Sequence, residues 1–292
     1  MNYKIIKIPF LKYKTHCYVY GDVSIGTPII VLHGGPGGMV EKYEPLTNLC
    51  SKSYPMIFYD QLGCGYSKVE KGHYELWNYE TYIKELENLI EYFGLTKFII
   101  IGHSWGGMLA LEWVCNHSHK GLEKLILFST LPSTKIWNDE HIKLIKDFPI
   151  EEKEALINEY EGKTFDKDYV KSGVKRFYAT HVSKKKDRKY EFTRKRFPKT
   201  NKEIYEYMWG KSELFGTGTL KDWSVMDKLD KITVKTLIIS GKYDESTPYM
   251  NDLMKQKIKH SIRVELNASH HAGYVEQPEE TIIAIKEFLN NN

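Results

Sequence analysis

Apolar and polar positions alternate along Lys4 to Phe10 and again along His16 to Tyr20, which predicts two strands joined by a short polar link as an antiparallel hairpin. After the hairpin the pattern changes to short, nearly unbroken apolar runs. These are Pro28-Ile29-Ile30-Val31-Leu32, Met56-Ile57-Phe58-Tyr59-Asp60, Phe98-Ile99-Ile100-Ile101, Leu122 to Ser129, Lys235 to Gly241 and Ile262 to Leu266. Continuous runs of this length are the mark of strands buried on both faces. Between them, Tyr79, Tyr82, Ile83, Leu86, Leu89, Ile90 and Phe93 recur at helical spacing, so a helix is predicted over Trp77 to Phe93, stopped by Gly94. Met108 to Val114 reads as a second helix, and Pro278 opens a closing one to Leu289. The alternation of strand and helix predicts an α/β fold, with a mostly parallel central sheet, right-handed crossovers and helices on both faces.

The texture breaks after Leu131-Pro132. Charge density rises, helical periodicity continues in His141 to Phe148 and Glu151 to Tyr160, and no aliphatic strand interrupts it. A helical cap insertion over 132–214 is predicted, dividing the core into 1–131 and 215–292. The insertion carries the basic runs Lys184-Lys185-Lys186-Asp187-Arg188-Lys189 and Arg194-Lys195-Arg196, read as a solvated face. Its aromatics, Tyr169, Tyr178, Tyr190, Tyr205, Tyr207 and Trp209, fit either a pocket wall or core packing.

Composition narrows the function classes. A chain of 292 residues, 41% hydrophobic, can bury a large core, and a net charge of +4 from 42 basic and 38 acidic residues gives no argument for a nucleic-acid partner. Lysines and tyrosines break every apolar run from Met1 to Tyr20, so neither a signal peptide nor a membrane contact is expected. Cys17, Cys50, Cys64 and Cys115 lie far apart without a C-x-x-C pair, which favours reduced thiols and a cytoplasmic location. Cys64 reads as a packing residue.

The candidate chemistry centres on Gly102-His103-Ser104-Trp105-Gly106-Gly107. A buried strand running through one serine into an apolar helix, with glycines two positions to either side, is the spacing of a nucleophile elbow. Ser104 would stand above the sheet, and the Trp105 amide at the helix N-terminus would face a developing oxyanion. The loop His33-Gly34-Gly35-Pro36-Gly37-Gly38 follows another buried strand and bares its amides, so Gly35 is the second candidate oxyanion donor and His33, Gly34, Pro36 and Gly37 form a substrate loop. Asp60 is a conceivable acid, but the glycine loop beside it favours a bracing role. Asp244 lies just past a strand's C-terminal end, where sites form in parallel sheets, and His270 and His271 come last in the chain. Neither histidine has the spacing of a metal pair, and no cofactor or metal is called for.

Together, His33-Gly34-Gly35-Pro36-Gly37, Asp60-Gln61-x-Gly63-x-Gly65-x-Ser67, Gly102-His103-Ser104-Trp105-Gly106-Gly107 and Gly241-x-x-Asp244-Glu245-x-Thr247-Pro248 resemble the proline iminopeptidase family of α/β-hydrolases, and within it the tricorn-interacting aminopeptidase branch. The match covers about residues 29–107 and 205–289. The resemblance implies an α/β-hydrolase fold and a triad of Ser104, Asp244 and His271. His271 is selected over His270 because the family places its histidine five residues before the Glu of Glu276-x-Pro278, although the small residue usual before that histidine is replaced here by His270. It also implies that Glu213 and Glu245 receive the substrate's free amino terminus. The expected activity is removal of an N-terminal residue, preferentially proline, from short peptides. The alternatives are an esterase, lactonase or amidase acting on a small non-peptide substrate, or a binding protein on an inactive hydrolase fold. An intact serine, acid and histidine argue against the last.

Overall fold

The structure, a computed structural model, describes residues 3–183 and 200–291. The basic runs at 184–189 and 194–196, and Tyr190, lie outside the described residues. Strands β1 (Tyr3–Phe10) and β2 (Tyr13–Tyr20) form the antiparallel hairpin, and β2 pairs antiparallel with β4 (Met56–Asp60). From β4 inward the sheet is parallel. Its eight strands run in the order β1-β2-β4-β3-β5-β6-β7-β8, with β3 (Ile29–Leu32), β5 (Phe98–His103), β6 (Leu122–Phe128), β7 (Lys235–Gly241) and β8 (Ser261–Leu266). Strand alternation distributes β3 between two cores. Ile30 and Leu32 pack on one face with Trp105 and Leu109, while Ile29 and Val31 pack on the other with Ile285 and Phe288.

The helices follow the periodicity closely. Helix α1 (Tyr79–Tyr92) starts after Asn78, whose side chain accepts the Thr81 N–H at 2.9 Å, and places Tyr82, Ile83, Leu86 and Leu89 in the core. Helix α2 (Trp105–Asn116) is buried almost all round, because it lies between the sheet and α1. Between β6 and β7 come α3 (Thr134–Leu144), α4 (Ile150–Tyr160), α5 (Lys167–Phe177), a π-helical turn (Tyr178–Val182) and α6 (Lys202–Met208). The helical pattern over His141–Phe148 is displaced, since α3 begins earlier and ends at Leu144. Helices α3, α4 and α5 share a small core of their own, with Ile145, Leu156, Phe177, Leu214 and Phe215, while Ile204 and Met208 of α6 pack into the main core. Beyond β7 follow α7 (Pro248–Lys257), the single turn α8 (Gly273–Glu276) and α9 (Pro278–Asn290).

Asn201, at the start of α6, fastens this helical segment to two loops at the strands' C-terminal ends. Its N–H donates to the Gly37 carbonyl at 2.8 Å and its side-chain amide to the Gly63 carbonyl at 2.9 Å. Asp60 braces the same edge, accepting the amides of Tyr66 at 3.0 Å and Val40 at 3.3 Å. Cys64 is buried in the core and burial pushes its thiol up, in keeping with packing. Among the described residues all four cysteines are free, and no helix is long and apolar enough to cross a membrane.

Candidate active site

Between β5 and α2 the chain turns on one residue, Ser104, at φ 54° and ψ −123°. This is a strained region for a residue with a Cβ, and it persists only where the surroundings enforce it. Here they do. A Cβ on Gly106 would stand 2.1 Å from the Leu32 carbonyl oxygen, and one on Gly102 2.5 Å from that of Gly106, so the turn closes only with glycine at both. The Ser104 N–H donates to the Phe128 carbonyl at 3.0 Å, and its own carbonyl accepts the Thr130 hydroxyl at 2.8 Å.

The acid is held from the same side. The Thr130 carbonyl accepts the Ser246 hydroxyl at 2.6 Å, and the Ser246 N–H donates to Asp244 Oδ1 at 2.9 Å. Asp244 Oδ1 also accepts from His271 Nδ1 at 2.8 Å. Burial works against the Asp244 charge, but His271 and these hydrogen bonds outweigh it and hold the carboxyl below its usual range. Nδ1 therefore carries the proton, and Nε2 is the nitrogen left for chemistry. The adjacent His270 is committed elsewhere: its N–H and Nδ1 both lie on Glu276 Oε2, at 2.7 and 3.0 Å, and Glu276 accepts the Ser183 hydroxyl at 2.9 Å.

The glycine loop is oriented by imidazoles. The Gln61 N–H donates to His33 Nε2 at 3.1 Å, which leaves the ring proton on Nδ1, donated to the Gly34 carbonyl at 2.8 Å. Burial keeps that ring neutral, its pKa pushed down to about 4. Because the Gly34–Gly35 peptide is planar and trans, fixing its carbonyl also fixes the Gly35 N–H on the opposite side. On the preceding peptide, the Gly34 N–H donates to the Tyr43 hydroxyl at 2.7 Å, and that hydroxyl donates to His103 Nδ1 at 2.8 Å. His103 Nε2–H in turn donates to the His271 carbonyl at 2.8 Å. Only this direction is open, because a carbonyl can only accept. Among the described residues, no group accepts from the Gly35 or Trp105 amide. The Trp105 indole donates to Gln61 Oε1 at 2.8 Å, tying the elbow to the loop after β4.

Ser104, His271, Gly34, Gly35 and Glu213 line one cavity of about 410 Å³, a size typical of small-ligand sites. Tyr178 and Tyr205 complete the wall, Trp209 is in the core, and Tyr169 and Tyr207 are largely exposed. Glu213 lies in the loop after α6. Burial raises its pKa, while His271 and the nearby Tyr205 hydroxyl pull it back. Glu245 is wholly buried and is not on the cavity wall. Neither of its oxygens has a hydrogen-bond partner, Oε1 lies 3.4 Å from His271 Nδ1, and burial raises its pKa while the nearby His271 pulls it back. The structure thus gathers Ser104, His271, Gly35 and Glu213 on one cavity wall, with Asp244 and Glu245 behind His271 and Trp105 buried next to Ser104. Of the predicted substrate loop only Gly34 lines the cavity; His33 lies beneath it, and Pro36 and Gly37 are off the wall, Gly37 packed against Asn201. Among the described residues, no three His, Cys, Asp or Glu side chains form a metal-ligand set.

A family model described as the alpha/beta hydrolase fold matches residues 27–278. A proline iminopeptidase of Lactobacillus helveticus is 38% identical over 288 residues, covering 98% of this chain and 97% of its own. The chain belongs to the proline iminopeptidase family of α/β-hydrolases. Among solved structures, the proline iminopeptidase of Mycobacterium smegmatis superposes with a TM-score of 0.82 at 27% identity, over 98% of this chain and 97% of that one. VinJ superposes with a TM-score of 0.85 at 29% identity, over 98% of each chain. In this proline iminopeptidase family member, sequence reasoning passed over two residues that the site depends on. His103 is only a variable position in the elbow pattern. Tyr43 sits in a 3-10 segment (Val40–Leu49) with no periodic signal, so only the fold could bring it to Gly34.

Proposed function

We propose that the protein is a serine aminopeptidase that removes the N-terminal residue, preferentially proline, from short peptides through an acyl-enzyme. The observation that carries this reading is the acidic end of the cavity: Glu213 on the wall beside the Ser104 cavity, and Glu245 behind it with both oxygens lacking hydrogen-bond partners. A buried carboxylate without a hydrogen-bond partner, as Glu245 is, is costly unless a cation completes it, and a peptide's α-ammonium is such a cation at neutral pH. An esterase or lactonase on a neutral substrate leaves that acidity unexplained.

In the proposed reaction Ser104 Oγ attacks the carbonyl of the first residue and His271 Nε2 takes its proton. The amides of Gly35 and Trp105 stabilise the oxyanion, each contributing about 2.7–4 kcal/mol by comparison with measured donors of this kind. His271 then protonates the leaving amine and water releases the acyl group. Asp244 holds the ring and balances its charge. The 132–214 insertion, tied down through Asn201, is the cap that closes the far side and limits the space before the scissile bond. Free cysteines support a cytoplasmic setting. The test compares kcat/KM for a proline arylamide, its N-blocked form and a short acyl ester, with Ser104→Ala as control. Fast turnover of the free-amine compound alone supports the reading; equal turnover of the blocked compound overturns it.

A further inference from the structure

Three carboxylates surround one imidazole. Asp244 Oδ1 lies 2.8 Å and Glu245 Oε1 3.4 Å from His271 Nδ1, both at the end of β7, and Glu213 comes from the loop after α6. Glu245 is fixed by its backbone, its N–H donating to the His181 carbonyl at 3.2 Å and its carbonyl accepting His141 Nε2–H at 3.0 Å. The other titratable groups packed here do not cancel this charge. His103, on β5 with its ring centroid 4.7 Å from that of His271, and His141, on α3, are kept neutral by burial, each pushed down to about 3. Burial also lowers His181, on the π-helical turn. His270 is paired with Glu276, and Tyr43, Tyr178, Tyr205 and Tyr274 are phenols. Lys42, Lys202 and Lys211 bring positive charge to the cavity wall and Glu206 negative charge, and that of Lys42 is felt at Glu213 and His103.

We infer that the substrate's ammonium group enters this site in exchange for a proton: it takes over from His271 the balancing of Glu213 and Glu245, and so switches on the base that cleaves its own peptide bond. The inference rests on the aminopeptidase reading and gives Glu245 a role apart from contact with the amine. The charges balance. One R–NH3+ enters, the His271 imidazolium gives its Nε2 proton to solvent, and the net charge of the site is unchanged. In the empty site burial opposes the charge on His271, but Glu245, Asp244 and Glu213 outweigh it and lift the ring to about 9. At neutral pH the empty site then holds the ring mostly as the imidazolium, not as the base. A neutral ester or an N-acylated peptide brings no cation and meets a protonated ring, so discrimination falls on kcat as well as on KM.

The test is a pair of pH profiles on the wild-type protein. For a short acyl nitrophenyl ester, kcat/KM follows the free enzyme, and its acid limb is expected near 9. For proline nitroanilide, kcat follows the complex, and its limb is expected lower by about one pH unit or more. Glu245→Gln should bring the ester limb down and raise ester turnover at pH 7 about tenfold, a gain that a damaged fold does not produce. Prolinamide binding to Ser104→Ala protein should release protons, most strongly at a pH between the two limbs, read as a buffer-dependent heat, and N-acetylprolinamide should release none. Coincident limbs for the two substrates, or an ester limb near the ordinary histidine value of about 6.5, overturn the inference and leave the peptidase reading standing. Ser104-dependent ester hydrolysis without any turnover of proline nitroanilide overturns both.

Discussion

Tyr43→Phe removes one oxygen atom from the centre of the site and leaves the ring in place. That oxygen accepts the Gly34 N–H at 2.7 Å and donates to His103 Nδ1 at 2.8 Å, and Tyr43, Gly34 and His103 are all buried. The variant strands one buried donor and one buried acceptor, each costing about 1–3 kcal/mol. A total of roughly 2–6 kcal/mol corresponds to a Tm lower by about 4–12 °C, taking about 2 °C per kcal/mol for a domain of this size. The catalytic effect has a separate origin. Gly34 precedes the Gly35 amide, and His103 holds the carbonyl of His271, so the hydroxyl keeps an oxyanion donor in register with the base. Complete loss of such a donor costs about 10²–10³ in kcat, so a misplaced one is expected to cost about 10–100-fold, with KM little changed. The ester and the arylamide should suffer alike, because both pass through an oxyanion. Steady-state kinetics on the two substrates, with melting curves by circular dichroism, reads both effects. A kcat within twofold of wild type refutes the coupling, and so does a loss confined to the free-amine substrate.

Further outcomes follow from the same geometry. Glu213→Gln is expected to lower kcat/KM for a proline arylamide by about 2–5 kcal/mol of transition-state binding, while a neutral ester loses nothing and gains at pH 7 because one carboxylate fewer holds His271 protonated, as measured side by side. Gly106→Ala would drive a Cβ to 2.1 Å from the Leu32 carbonyl oxygen, a backbone atom that cannot swing aside, so the variant should lose soluble expression or melt well below wild type. Glu85 is buried, accepts from the Thr15 hydroxyl and takes the Leu62 N–H at 2.8 Å; burial lifts its pKa to about 8. A folded-state pKa above the unfolded value means stability that is full at acidic pH and is lost as pH rises through about 8. The wild-type Tm should therefore decline between pH 5 and 8 more steeply than that of Glu85→Gln, whose oxygen accepts the Leu62 N–H while its amide donates to the Thr15 hydroxyl; parallel curves would refute this.

How far the site could be read in advance depended on whether a residue's job is local. Ser104 was legible because a one-residue turn between strand and helix needs glycines at fixed offsets, and Gly102 and Gly106 meet backbone atoms as that mechanics requires. Asp244 was legible because a parallel strand ends just before it. Glu213 was not legible from its surroundings, since it lies in an irregular loop and only the family resemblance singled it out. His270 and His271 show the limit most plainly. Adjacent residues differ only in which way each points, and that is decided by Asp244 on one side and Glu276 on the other.

By itself the sequence determined the element types, the parallel character of the sheet and the strand-to-helix turn at Ser104. All of these are set by contacts within a few residues or by burial on both faces of a strand. Only the tertiary structure decided the strand order, the placement of Tyr43 and His103 between the glycine loop and the histidine, and the burial of Glu245 behind the cavity wall while Glu213 lines it. Those depend on segments tens to hundreds of residues apart meeting in a medium of low dielectric, where a carboxylate's distance from a ring decides its charge, and that distance is a property of the fold.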